Sequence, residues 1–222
     1  MPNLAVSNDN LVYKYAADTW INVRSASSGF ATTIANVTLK NMSVSGRGGV
    51  VVQVGRFFME FDTSGITSTL DSATLKIKAK ASTQTLSTIL LKSSQSGAVT
   101  SSDYNEISGA STPLAASDGS GAGTFASTAV VEYSGEIGTL NTSDAWEDIT
   151  LNSTALSDIV ANDTFNCVLV GYTYDYLDQS PSSATYDAVF YSQTSSGNEP
   201  YMSYELAATA ATDNAIFFGT NF

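Results

Sequence analysis

The sequence contains no histidine. That removes Ser-His-Asp and Cys-His nucleophilic arrangements and every His-ligated metal site. Its single cysteine, Cys167, rules out an internal disulfide and a thiolate zinc site within one chain. It lies in the apolar run Phe165-Asn-Cys-Val-Leu-Val170, where a thiol behaves as a small hydrophobe. Basic residues are scarce and confined. All nine fall in residues 1–92 with five acids, whereas residues 93–222 hold sixteen acids and no Lys or Arg. At a net charge of −12, neither nucleic acid nor an anionic membrane is expected as a partner. The imbalance reads first as a solvated acidic surface that aids solubility. The alternative is that acidic and basic faces meet between neighbouring copies. No apolar run reaches the length of a membrane-spanning helix. Residues 1–10 lack the basic and apolar regions of a secretory signal, so synthesis in a cytosol without export is expected.

What is present points to strands. The 222 residues are 43% hydrophobic, enough for a sizeable core, and include eleven Tyr and ten Phe among abundant Thr and Val. Only 14% are charged, with Ser, Thr and Asn in their place, which suits exposed sheets and loops better than helical surfaces. The clearest pattern is a pair of alternating stretches. In Gly55–Gly65, Phe57, Met59 and Phe61 alternate with Arg56, Phe58, Glu60 and Asp62. In Ser72–Lys80, Ala73, Leu75, Ile77 and Ala79 alternate with Thr74, Lys76, Lys78 and Lys80. A period of two predicts half-buried strands. Phe57, Met59, Phe61, Leu75 and Ile77 should point inward, with the lysines lining an outer face.

Elsewhere strands are expected at 11–15, 18–24, 33–40, 50–54, 85–92, 124–133, 146–151, 165–174, 188–193 and 201–206. Trp20 and Trp146 are placed in the core. The glycine-rich stretch 43–49 should be a flexible turn. Residues 99–107 should hold a helical turn capped by Ser102 or Asp103. Residues 153–160 form the best helix, with Leu156, Ile159 and Val160 on one side and Asn152 or Ser153 as cap. The expected fold is all-β: a two-sheet antiparallel β-sandwich, a jelly roll, with one short helix and extended termini. The expected parts are an arm over residues 1–10, the sandwich over 11–206, and a linker with an aromatic tail over 207–222.

In their order, several short motifs resemble the DNRLRE-type domain, a jelly-roll module related in shape to carbohydrate-binding modules. They are Asp18-Thr-Trp-Ile21, Arg56-Phe-Phe-Met-Glu-Phe-Asp-Thr-Ser64, Ala73-Thr-Leu-Lys-Ile77, Asp148-Ile-Thr150, Phe190-Tyr-Ser192 and Pro200-Tyr-Met-Ser-Tyr204. They span about residues 16–206. The resemblance implies a habit of extracellular binding or assembly and no enzyme activity. Such modules occur in secreted bacterial proteins and in phage structural proteins, and the missing export signal favours the second. The expectation is a non-enzymatic virion component of a tailed phage, a capsid decoration, fiber or tail-associated subunit. It would be made in the host cytoplasm and would contact copies of itself and other virion proteins. The alternative is a carbohydrate-binding module for a host surface polysaccharide.

Other candidates are weaker. A two-carboxylate glycosidase needs only paired acids flanking a cleft, and no pair stands out. Gly119-Ser-Gly-Ala-Gly123 lacks the strand, the helix and the Gly-Lys-[Ser/Thr] of a phosphate loop. No cofactor is expected. Ca²⁺ on Asp175, Asp178 and Asp187 is weighed, but their spacing is not that of an EF-hand and solvated loop acids are preferred. The segment Asp213–Phe222 carries Ile216, Phe217, Phe218 and Phe222 after the last expected strand. It is read as an assembly tail docking on a neighbour, or else as a segment folded back on its own domain.

Overall fold

A computed structural model describes residues 1–80, 85–110, 119–121, 123–125, 129–138, 144–182 and 184–208. The assembly tail, Ile216, Phe217, Phe218 and Phe222, lies outside the described residues. The fold is an all-β antiparallel sandwich. Its strands are β1 (Asn3–Ala5), β2 (Asn8–Ala16), β3 (Phe30–Thr32), β4 (Asn36–Gly46), β5 (Gly49–Asp62), β6 (Leu70–Lys80), β7 (Thr88–Lys92), β8 (Trp146–Thr150), β9 (Thr164–Gly171), β10 (Ala184–Tyr191) and β11 (Tyr201–Leu206). Two α-helices, α1 (Trp20–Arg24) and α2 (Ser153–Ala161), a 3₁₀ turn at Ser101–Asn105 and a π-helical turn at Tyr172–Tyr176 complete the regular structure of the described residues.

One layer is β1-β11-β6-β8. The other is built on β5, which pairs with β2, β4 and β9, while β3 flanks β2, β7 flanks β9 and β10 flanks β4. The two layers join where Val189 and Phe190 of β10 pair with Lys80 and Ala79 of β6. Phe57, Met59 and Phe61 of β5 and Leu75 and Ile77 of β6 are buried together in the core between the layers, with Phe165, Phe190 and Met202. Burying each such side chain stabilises the fold by roughly 1.5–3 kcal/mol.

The alternation along β5 departs from expectation at Arg56 and Phe58. Both are fully buried, because the outer face of this strand is also covered. A second core lies there, containing Val12, Val54, Phe58, Ile89 and Val168 of the sheet under Trp20, Val23, Tyr104, Phe125 and Tyr176 of a cap. The cap is α1, the 3₁₀ turn, residues 123–125 and the turn at Tyr172–Tyr176. Only Glu60 and Asp62, at the far end of β5, keep the expected exposure.

Other local differences have simple causes. Residues 18–24 were expected as strand, but Thr19 caps Asn22 and starts α1, with Asp18 holding both Thr19 N and Asn22 Nδ2. Of the expected arm, residues 3–5 pair with β11 and residues 8–10 begin β2. The glycine-rich 43–49 is a tight hairpin, with Gly46 paired to Gly49 and Gly49 at a φ of 113° that suits only glycine. Within 124–133 no strand occurs among the described residues; Glu132 makes one isolated bridge to Leu91. The 3₁₀ turn is capped by Thr100, with Asp103 accepting from the Thr100 N–H and hydroxyl. Helix α2 begins at Asn152, whose Oδ1 accepts from Ala155 N.

Candidate functional site

The most highly organised polar cluster is buried in the second core. Arg56 rises from β5 and meets Asp175 in two parallel bonds, Nε to Oδ2 at 2.7 Å and Nη2 to Oδ1 at 2.9 Å. Its remaining donors bond Tyr104 O, Asn105 Oδ1 and Arg24 O. Arg24, the last residue of α1, bonds Asp175 Oδ1 and the Asp175 carbonyl, and its Nη1 reaches Gly123 O. Asp178 lies 3.4 Å from Arg24 Nη1 and accepts from Trp20 Nε1 and Gly123 N. The Arg56 guanidinium lies over the Tyr104 ring and that of Arg24 over Phe125. Two positive and two negative charges therefore cancel inside a fully buried site. Burial pulls the Arg24 pKa below its ordinary value, against the opposing pull of Asp175.

This cluster binds the cap to the sheet. All four charged side chains are fully buried and face one another, so no substrate reaches them. It also corrects the reading of Asp175 and Asp178 as solvated loop acids, since both are fully buried. Asp175 and Asp178 are held by guanidinium and amide donors, and Asp187 stands apart on β10 opposite Lys40. Among the described residues no group of three or more His, Cys, Asp or Glu could hold a metal ion. The glycine loop packs on the cap: a Cβ on Gly119 would strike Ser180, and Gly123 serves the cluster through its backbone. Cys167 is buried, and burial pushes its thiol pKa up, away from reactivity.

Among the described residues, two sheet surfaces expose aromatic side chains. The first is the outer face of the β11-β6-β8 layer. Trp146 lies opposite Lys78, while Asp148 and Tyr201 lie opposite Lys76, so all five side chains share that face. Trp146, expected in the core, is 39% exposed, and its ring meets Tyr201 edge-on at 5.1 Å. Around them Lys78 bonds Asn198 Oδ1, Lys76 pairs with Asp148, and Tyr191 donates to Asp144. Lys78 and Lys80 both stand over the Tyr191 ring. The three lysines line the outer face as the alternation requires, and Lys76, Lys78 and Lys92 each have an acid of the same chain within ion-pair distance.

The second surface is where the β5 sheet runs past its partner layer. Pairing register puts Phe30, Tyr13, Tyr15, Met42, Val44 and Val51 on the face that, further along β5, carries Phe57 into the core. Among the described residues this face is only partly covered: Tyr13 packs against the edge of the main core, whereas Phe30 is 55% and Tyr15 50% exposed. The neighbouring strand β3 is the last in the sheet order among the described residues.

One acid stands out away from these surfaces. Asp9 of β2 is buried, with Oδ2 accepting from Gln193 N at 2.8 Å. Burial raises its pKa to about 7, against the lowering effect of that bond. Sequence reasoning missed both buried arginines and the exposed tryptophan. A signal for the first existed: lysine supplies six of the nine bases, and two of the three arginines interrupt apolar stretches at Val23-Arg24 and Arg56-Phe57. Compared with known proteins, the chain matches no family model and no curated protein.

Proposed function

We propose that this chain is a non-enzymatic structural subunit of a virion, a capsid decoration, fiber or tail-associated protein acting through contacts with copies of itself and with other virion proteins. The observation that carries the contact reading is the overhanging sheet face. Phe30, Tyr15 and Val44 are large apolar side chains left in water on a rigid sheet. Such patches mark interaction surfaces. The side of β3 away from β2, unpaired among the described residues, offers backbone groups to an added strand beside them. The resemblance to DNRLRE-type modules supports the virion context. The test has two arms. Mass spectrometry of purified virions from the phage's host should find the chain at a fixed ratio to the capsid protein. Sedimentation should show self-association that Tyr15→Ser with Phe30→Ser weakens while the melting temperature is kept. A chain absent from particles and monomeric at every concentration overturns the reading.

A second reading is favoured by one specific observation, the exposed Trp146 beside Tyr201, with Lys78, Asn198 and Asp148 offering hydrogen bonds nearby. Aromatic rings with convergent polar groups on a sheet face suit a surface glycan. Glycan-array binding abolished by Trp146→Ala would support it; an array without signal would remove it.

A further inference from the structure

Lys78 is hydrogen-bonded to a side chain that carries a leaving group. Lys76 and Lys92 bond the carboxylates of Asp148 and Asp158. Lys78 Nζ instead donates to a carboxamide, Asn198 Oδ1, at 2.8 Å. An amine can displace the nitrogen of a carboxamide, whereas with a carboxylate it forms a salt. A carbonyl bond is about 1.2 Å long, so Asn198 Cγ lies within about 4 Å of Lys78 Nζ. A near-attack arrangement has its reacting atoms roughly 3–3.5 Å apart, so a small rotation of the Asn198 side chain suffices.

The surroundings supply an acid and a partial cover. Asp144 Oδ2 lies 3.8 Å from Lys78 Nζ, and Asp144 Oδ1 accepts from the Tyr191 hydroxyl at 2.8 Å. The Tyr191 ring centre is 5.6 Å from Lys78 Nζ, and Trp146 is the cross-strand neighbour of Lys78. Aromatic surface thus screens the amine, whose side chain is 20% exposed. Both reacting residues are held by their backbones. Lys78 lies within β6, paired to β8, and Asn198 closes the turn before β11 by donating its N–H to Ser195 O at 2.8 Å.

We propose that Lys78 and Asn198 form a self-modification site, at which the two side chains join through an amide bond. Asp144 takes a proton from the Lys78 ammonium, and the freed nitrogen adds its lone pair to Asn198 Cγ. As the Cγ–Nδ2 bond breaks, a second proton passes from the attacking nitrogen through Asp144 to the departing one. The Nζ–Cγ amide forms, and ammonia leaves with the first proton as ammonium, so Asp144 ends as it began. The reaction needs no oxidant, reductant or cofactor. Its product ties β6 to the turn that leads into β11, its neighbour in the same layer, across 120 positions of sequence.

Intact mass spectrometry of the full chain tests it. The folded protein should weigh less than its sequence by one ammonia. Chymotryptic digestion should release a branched peptide containing both Lys78 and Asn198. Lys78→Arg and Asn198→Ala should each restore the full mass while the circular dichroism of the sheet is kept. Asp144→Asn should link at least about tenfold more slowly after synthesis. A wild-type chain still at its full sequence mass after prolonged incubation would overturn the proposal. So would an ammonia loss that persists in Lys78→Arg, which would place it at an asparagine cyclised on its own backbone. Linking at an unchanged rate in Asp144→Asn would overturn the assigned chemistry.

Discussion

Replacing Asp175 by Asn isolates the charge of the buried cluster, because the two side chains have nearly the same shape and no cavity opens. The Asp175 carboxylate accepts Arg56 Nε and Nη2 and Arg24 Nε. Asparagine keeps one acceptor oxygen and places an NH₂ group where the other stood, so a donor faces a donor on at least one side. Two guanidiniums then share a single remaining acid, Asp178, at 3.4 Å from Arg24. Removing one partner of a buried ion pair costs about 3–5 kcal/mol, since the survivor cannot return to water. That is a large share of a total stability on the order of 5–15 kcal/mol. For a chain of this size it lowers the melting temperature by roughly 6–20 °C. Urea unfolding followed by circular dichroism measures the loss, and tryptophan emission locates it. Trp20 is buried and bonded to Asp178, whereas Trp146 is on the opposite, solvated layer. A cap that loosens should shift emission to the red before the sheet signal melts. An Asp175→Asn chain melting within about 3 °C of wild type, a loss of roughly 1 kcal/mol, would refute the reasoning.

The remaining predictions concern single groups. Burial raises the Asp9 pKa from 3.8 to about 7 in the folded chain, so between about pH 4 and 7 folding favours its protonated form. Its contribution is fully present below about pH 4 and is lost as pH rises through 7, a change on the order of 4 kcal/mol. Asp9→Asn should flatten that slope and raise stability at pH 8; an unchanged stability–pH curve would count against the burial argument. Phe61→Ala opens space beside the rings of Phe165 and should cost about 2–5 kcal/mol by chemical denaturation. An indistinguishable melt would mean the strand phase is wrong. Lys76→Ala should change stability by no more than about 1 kcal/mol, because its partner Asp148 is largely solvated. Gly109→Ala should be poorly tolerated: its φ is 82° and a Cβ would drive into the carbonyl of Ala129.

The strands were legible wherever burial has period two. Along β6, Ala73, Leu75, Ile77 and Ala79 are buried and the intervening residues are not, because one face meets the core and the other meets water. The alternation failed on β5, and its failure has a definite cause. Arg56 reads as a solvent residue, but it faces a cap contributed by residues more than forty positions away, at Tyr104, Asn105 and Asp175. Local patterning carries no trace of such a cover. The helix α1 was hidden for a different reason: five residues hold little more than one turn of apolar period, and Thr19 as cap was the only local sign. Trp146 was misplaced because an aromatic on an edge region fits either face. Its register opposite Lys78, which decides the matter, is a tertiary fact.

Strand β6 has an awkward position in time. Among the described residues its strand partners, β8, β10 and β11, all come from residue 146 onward. As the chain emerges from a ribosome, β6 is complete long before anything exists to pair with it. It then presents two bare backbone edges and the apolar row Ala73, Leu75, Ile77 and Ala79. A strand left waiting in that state invites pairing with the same strand of another nascent chain. Lys76, Lys78 and Lys80, at every second position, place like charges at short intervals along any such pairing. Two β6 strands brought edge to edge would set these charges against each other. Like charges so placed disfavour pairing of β6 with a copy of itself before its own partners are made. Translation intermediates carrying Lys76→Thr, Lys78→Thr and Lys80→Thr together would be the species in which that restraint is gone.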